Sequence, residues 1–143
     1  MVALILDGAP ISRQRAEARL GYPLNRPHTA AIIWTDTPER DLRHLDRTAE
    51  AFAHAAGSPR PLNILASSAS RWVWVAGTAA IDVGQLLRAI DQVPDVRVAI
   101  GRTLNGTEGF RRSHLDALTT QRSLPGAALH SGWPSSAMFS WPR

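Results

Sequence analysis

The chain has 143 residues, a formal net charge of +4 and no cysteine, which is one domain's length and excludes a disulfide framework, a thiolate metal site and a cysteine nucleophile. All 16 basic residues are arginine; with a single tyrosine, almost nothing titrates between histidine and arginine, so the sequence pI of 11.2 overstates a small charge excess and is no argument for nucleic-acid binding. The apolar run Met1–Leu6 stops at Asp7-Gly8, too short for a secretory h-region or a membrane span, so a cytoplasmic location without membrane contact is expected.

Ser12 is placed to cap a helix over 13–20, with Gly21 as its stop; Leu20 is its one large apolar side chain, so it reads as a surface helix. Tyr22 to Pro27 then reads as an extended connector. Thr29–Thr35 (TAAIIWT) has strand length and no alternation, the pattern of a strand buried on both faces. Thr37 and Pro38 form a helix start. From there Leu42, Leu45, Ala49, Phe52, Ala53 and Ala56 trace one apolar stripe, ended by Gly57 and Pro59.

Leu62–Ala66 and Arg71–Ala76 read as two strands of a hairpin. In the second, Trp72 and Trp74 share one face and Val73 and Val75 the other. Val83, Leu86, Leu87, Ile90 and Val93 mark the next helix, ended by Pro94-Asp95. Val96–Ile100 is a fourth strand; the segment Gly101 to Gly109 leads into a third long helix, 107–122, with Phe110, Ala117 and Leu118 inward. Between residues 29 and 101 the order is strand, helix, strand, strand, helix, strand. That predicts an α+β, ferredoxin-like βαββαβ fold, an antiparallel sheet with both crossover helices on one face and an extra C-terminal helix. The expected organisation is an N-terminal helix and connector over 1–27, a central domain over 28–122 and an irregular Pro/Ser/Gly-rich tail over 123–143.

Two stretches carry a family resemblance. The first is Leu20-Gly21-Tyr22-Pro23-Leu24 followed by Arg26-Pro27-His28-Thr29-Ala30-Ala31-Ile32-Ile33-Trp34. The second is Val96 to Arg102, then Gly106, Gly109-Phe110-Arg111-Arg112-Ser113-His114 and Ala117. Together they resemble the GGDEF-like central domain of bacterial transcriptional regulators of the PucR/CdaR type, from about Ile5 to Arg122. The resemblance implies a degenerate palm-type fold and a regulatory, protein–protein interaction role in transcription regulation. It also implies a chain that lacks the family's sensory and helix-turn-helix domains, as a truncated regulator would. Direct DNA binding by this chain is therefore not expected; self-association or docking with a partner protein domain is.

The palm-type cyclases that this fold resembles clamp two metal ions between a carboxylate after the first strand and others in the hairpin. Asp36 holds the first position, but the hairpin Ala66-Ser67-Ser68-Ala69-Ser70-Arg71 has no acid. No enzymatic activity, metal or cofactor is expected. The Gly101–Gly109 segment resembles a phosphate loop, strand then glycines then helix N-terminus. Yet Gly106 is followed by Thr107-Glu108 rather than the Walker Lys-Ser/Thr, so turn and packing roles for the glycines are favoured. The candidate ligand or anion site is Asp36, Gly101, Arg102, Gly106, Gly109, Arg111 and Arg112, in a crevice shared with the hairpin; a small-molecule or nucleotide-sensing module is the alternative function. The five histidines lack metal-ligand spacing, and Ser113-His114 reads as helix-to-sheet packing. Trp72 and Trp74 read as core; a base-stacking sheet face is disfavoured because the fourth strand offers Arg97 and Ala99 there, with no aromatic residue.

Overall fold

The computed structural model describes residues 1–36, 43–58, 60–78, 81–92, 96–123, 127–130 and 139–140. The described elements are helices α1 (Val2–Leu6), α2 (Arg13–Leu20), α3 (Arg43–Ala55), α4 (Val83–Asp91) and α5 (Gly106–Ser123) and strands β1 (Pro27–Thr35), β2 (Leu62–Ser67), β3 (Ser70–Ala76), β4 (Val96–Ile100), β5 (Leu104–Asn105), β6 (Ala127–His130) and β7 (Phe139–Ser140). The strand order is β2-β3-β1-β4-β6-β7, with short β5 beside the start of β1. The pairs β1–β3, β1–β4, β1–β5 and β2–β3 are antiparallel, the ferredoxin-like frame expected of the sequence. The helix start at Thr37-Pro38, Leu42 of the α3 stripe, Pro59, Val93 and the stop at Pro94-Asp95 lie outside the described residues.

The irregular tail expected over 123–143 is corrected in part: β6 pairs parallel to β4, Ala99 with Leu129 and Ile100 with His130, and β7 pairs with β6. Prolines and glycines hid a four-residue strand whose pattern, Ala-Ala-Leu-His, is too short to show a period.

β1 is the central strand and is buried along almost its whole length. Its side chains alternate between two cores. Ala31 and Ile33 join Val73, Val75, Val96, Val98 and Ile100 under Leu45, Ala49 and Phe52 of α3 and Leu86 and Ile90 of α4. Ile32 and Trp34 face the other way, with Ala99, beneath Ala117 and Leu118 of α5. The extra C-terminal helix thus covers the face that the crossover helices leave bare. That placement settles Trp72 and Trp74: both lie under α5, and Ala99 is fully buried opposite them, so the face that carries the tryptophans is not open for stacking bases. On the same face Trp74 stacks on Phe110 at 4.3 Å and 7°, and its indole N–H donates to the Phe110 carbonyl at 3.0 Å.

The segment 1–27 is part of this packing. Ile5, Ala16, Tyr22 and Leu24 form one cluster with Ala30, Trp74 and Phe110. The Ser12 hydroxyl accepts from the Arg15 amide, and Gly21 closes α2 in the left-handed region at φ 62°. The Glu17 carboxylate accepts from the Leu24 amide at 2.6 Å, which holds its pKa below the ordinary carboxylate value. His28 is fully buried. Its Nε2–H donates to the Leu24 carbonyl at 2.9 Å, so Nδ1 is the acceptor for the Tyr22 hydroxyl at 2.8 Å. Burial lowers the His28 pKa and raises that of Tyr22. Tyr22→Phe leaves His28 Nδ1 a buried acceptor without its donor, and urea denaturation is expected to show a loss of about 1–2 kcal/mol.

Candidate functional site

Asp36 follows β1 directly. β4 runs antiparallel to β1, with Thr35 opposite Val96 and Ala31 opposite Ile100. Asp36 therefore lies at the end of the sheet where β4 begins, and Gly101 at the end where β4 finishes. Five residues of strand separate the two, roughly 17 Å at 3.3 Å per residue. The shared crevice expected of Asp36, the hairpin and the Gly101 loop does not form: the hairpin joins Asp36, and the glycine loop sits at the far end. Sequence order hid this, because it places both candidates after a strand without saying which way the strand runs.

At the Asp36 end the hairpin turn docks on β1 through the Thr35 amide, which donates to the Ala69 carbonyl at 3.0 Å. The turn's Ser67 hydroxyl accepts from the Ala69 amide. Asp36 itself is engaged by Arg97 of β4, Nη1 to Oδ2 at 2.6 Å. Asp46 of α3 is likewise held by Arg71 of β3 at 3.1 Å. Two carboxylates thus stand near this end, each bound to a guanidinium rather than to the other. A two-metal clamp needs carboxylates that converge on shared ions. The donor set does not fit one, and among the described residues no group of three His, Asp or Glu side chains converges anywhere. Arg97 is legible in the sequence only as the outward partner of Val96 and Val98; that it reaches across to Asp36 follows from strand pairing.

At the other end the glycine loop is stitched to its surroundings. The Gly101 amide donates to the Ala30 carbonyl at 2.8 Å, and the Gly106 amide to the Arg26 carbonyl at 3.0 Å. Ser113 of α5 accepts from the Ala30 amide at 2.8 Å and donates to the Arg102 carbonyl at 2.6 Å. The Arg102 amide donates to Asp116 at 2.7 Å, and the Arg102 guanidinium pairs with the same carboxylate at 3.4 Å. Glu108 holds both neighbouring arginines, Arg111 at 3.1 Å and Arg112 at 3.0 Å. Arg111 also donates to the Leu6 carbonyl at 3.0 Å, tying α1 to α5.

The amides of Gly101, Arg102 and Gly106 bond within the protein, whereas a cradle for phosphate needs them turned outward. The guanidinium groups of Arg102 and Arg112 lie at the surface, each paired with a carboxylate of α5. Gly101 and Gly109 have no room for a side chain: a Cβ would lie 2.1 Å from the Ser113 carbonyl oxygen and 2.4 Å from the Leu104 carbonyl carbon. Gly106 has open space but a φ of +75°. All three roles are packing and turning. Ser113, read from the sequence as helix-to-sheet packing, bonds β1 as expected and also the loop; Asp116, one helical turn on, was missed as the loop's second anchor, its i, i+3 spacing from Ser113 being the available signal.

One cavity of about 130 Å³ opens between the N-terminal helices and the start of α5, lined by Ile5, Ala9, Ile11, Ala16, Glu108 and Arg111 among others. Ligand pockets usually run from about 300 Å³ upward, so this one is too small for a nucleotide.

A family model described as GGDEF-like domain matches residues 7–123. The chain belongs to the GGDEF-like domain family. None of the curated proteins matches it. The matched span takes in every element from α2 to α5, including residues 7–27 of the N-terminal segment that packs on the sheet. Among the described residues no helix of this GGDEF-like chain is long and apolar enough to cross a membrane.

Proposed function

We propose that this GGDEF-like domain is a non-catalytic regulatory and interaction module, of the kind found in transcriptional regulators of the PucR/CdaR type. The observation that carries the reading is the Asp36–Arg97 pair at 2.6 Å. Asp36 stands where the palm-type cyclases hold metal, and it is neutralised by an arginine from the neighbouring strand. The hairpin beside it has serines and alanines where a second carboxylate would be needed. The transcriptional context rests on the motif resemblance around Leu20–Trp34 and Val96–Ala117.

The test is GTP turnover with Mg²⁺ or Mn²⁺, on the intact chain and on Arg97→Ala, which frees Asp36. Neither is expected to form product above background, because one released carboxylate still has no partners to complete a two-ion clamp. Product from either protein would overturn the reading. A nucleotide-sensing role is disfavoured by the same geometry, since the candidate residues are split between two ends of the sheet and their guanidinium groups are paired with carboxylates of the chain.

A further inference from the structure

The cavity of about 130 Å³ between the N-terminal helices and α5 has two unlike walls. One is apolar: Ile5 of α1, Ala9 and Ile11 of the turn after it, and Ala16 of α2 line it, and Ile5 and Ala16 are buried. The other belongs to α5 and carries Glu108 and Arg111. Arg111 is held from two sides. Its Nε–H donates to the Leu6 carbonyl at 3.0 Å and its Nη1–H to Glu108 Oε1 at 3.1 Å. Neither bond uses Nη2, so the guanidinium fork keeps donors for a further acceptor. Arg112 Nε–H donates to the same Glu108 oxygen at 3.0 Å. Two guanidinium groups thus share one carboxylate, and among the described residues Glu108 is the only acid that lines the cavity. The polar wall is left with an excess of positive charge.

We infer that this cavity binds a short-chain monocarboxylate, its carboxylate on Arg111 and its hydrocarbon tail against Ile5, Ile11 and Ala16. The size of the ligand follows from the volume. An apolar cavity of about 150 Å³ holds one benzene molecule, about six heavy atoms, so a space of about 130 Å³ takes propionate or butyrate. The charge follows from the excess cation, which an alcohol leaves unmatched and an ammonium group opposes. The tail follows from the apolar wall: sulfate and phosphate match the charge but bury no hydrocarbon, whereas each methylene set against the isoleucines leaves water. A carboxylate also has the planar pair of oxygens that a guanidinium fork binds best. Because the walls belong to α1, the turn after it, α2 and α5, an occupant ties the N-terminal segment to α5. This goes beyond the reading of the domain as an interaction module by giving it a ligand. Of the residues singled out in the sequence as an anion site, Arg111 alone lines this cavity.

The experiment titrates the full chain, labelled with ¹⁵N, with sodium butyrate at constant ionic strength and pH 7. Saturable amide shifts are expected at the cavity residues of 5–16 and 107–111, with a Kd of about 1 mM, in keeping with so small a ligand, and the melting temperature is expected to rise with butyrate. Butylamine, 1-butanol and sulfate, which lack the negative charge or the tail, are expected to bind at least about tenfold more weakly. Ala9→Leu fills the cavity and leaves the charges of α5 in place; it is expected to keep the amide spectrum elsewhere and to lose butyrate binding. Arg111→Gln is expected to weaken butyrate by about tenfold or more. It also gives up the bond to Leu6, so Ala9→Leu and the ligand series decide the matter if that variant unfolds. No saturable shift well above the expected Kd, sulfate or butylamine binding as tightly as butyrate, or undiminished butyrate binding by folded Ala9→Leu would each overturn the assignment. None of these outcomes bears on GTP turnover, so the failure of this site and the failure of the non-catalytic reading are separately visible.

Discussion

Gly101→Ala is expected to destabilise the domain by more than about 3 kcal/mol, the upper range of overpacking effects. The added Cβ would sit 2.1 Å from the Ser113 carbonyl oxygen and 3.0 Å from its carbonyl carbon. Both atoms are α5 backbone, so no side-chain rotation relieves the clash. Moving α5 away would also pull Ser113 Oγ from the Ala30 amide and the Arg102 carbonyl, two of the bonds that hold the loop to β1. Natural domains are stable by only about 5–15 kcal/mol, and each kcal/mol moves the melting temperature of a domain this size by about 3 °C. A fall of about 10 °C or more is expected. Gly106→Ala is the informative companion. Nothing lies within 4 Å of its Cβ position, and its cost is that of placing alanine at φ +75°, about 1–2 kcal/mol. An unshifted transition for Gly101→Ala defeats the packing account.

These two glycines show where the sequence was legible and where it was not. Strand and helix positions could be read because β1, α3, α4 and β4 carry apolar patterns set by burial, and their bounds fall within a residue or two of those expected where described. The αβ order from residue 29 to 101 was enough to set the ferredoxin-like frame. Direction was harder. Asp36 and Gly101 look like neighbours when each is read as the residue after a strand, yet antiparallel pairing sends them to opposite ends. The engagement of Arg97 with Asp36, and of Arg102 with Asp116, depends on that pairing and on the pitch of α5, neither of which a single sequence prints. β5 and α1 were missed for a simpler reason: two and five residues are too short to show a period. His114 packs α5 on the sheet, as the sequence suggested; what the polar stretch Arg-Arg-Ser-His did not show is that both its ring nitrogens lack a hydrogen-bond partner.

Folding stability is expected to fall as pH drops from 6.5 toward 4, with His114 as a principal cause. The ring is 1% exposed and lies between Trp72, edge-on at 4.4 Å, and Trp74, stacked at 5.1 Å. Neither ring nitrogen has a hydrogen-bond partner, and no acid from α5, β1 or β3 is paired with it. A charged imidazole there would lose its hydration with nothing in return, so burial pushes the pKa from 6.5 down to about 4. The sign follows from proton counting. Above pH 6.5 the ring is neutral in both states and pH has no effect through it. Between 6.5 and about 4 the unfolded chain takes up a proton that the folded chain refuses, so stability is lost as pH falls, and below about 4 both states are protonated and the loss is complete. That gap corresponds to about 3 kcal/mol. His28, whose pKa is also lowered by burial, adds in the same direction. His114→Leu keeps an apolar side chain of similar size between the two indoles and removes the titration. Urea denaturation across this pH range is expected to show the variant at least as stable as the parent at pH 7, with its acid loss reduced by about 3 kcal/mol and a residual slope from His28 and the carboxylates. Equal losses in parent and variant would show that His114 finds a partner or water in the folded state and that its burial between the tryptophans does not govern the acid limb.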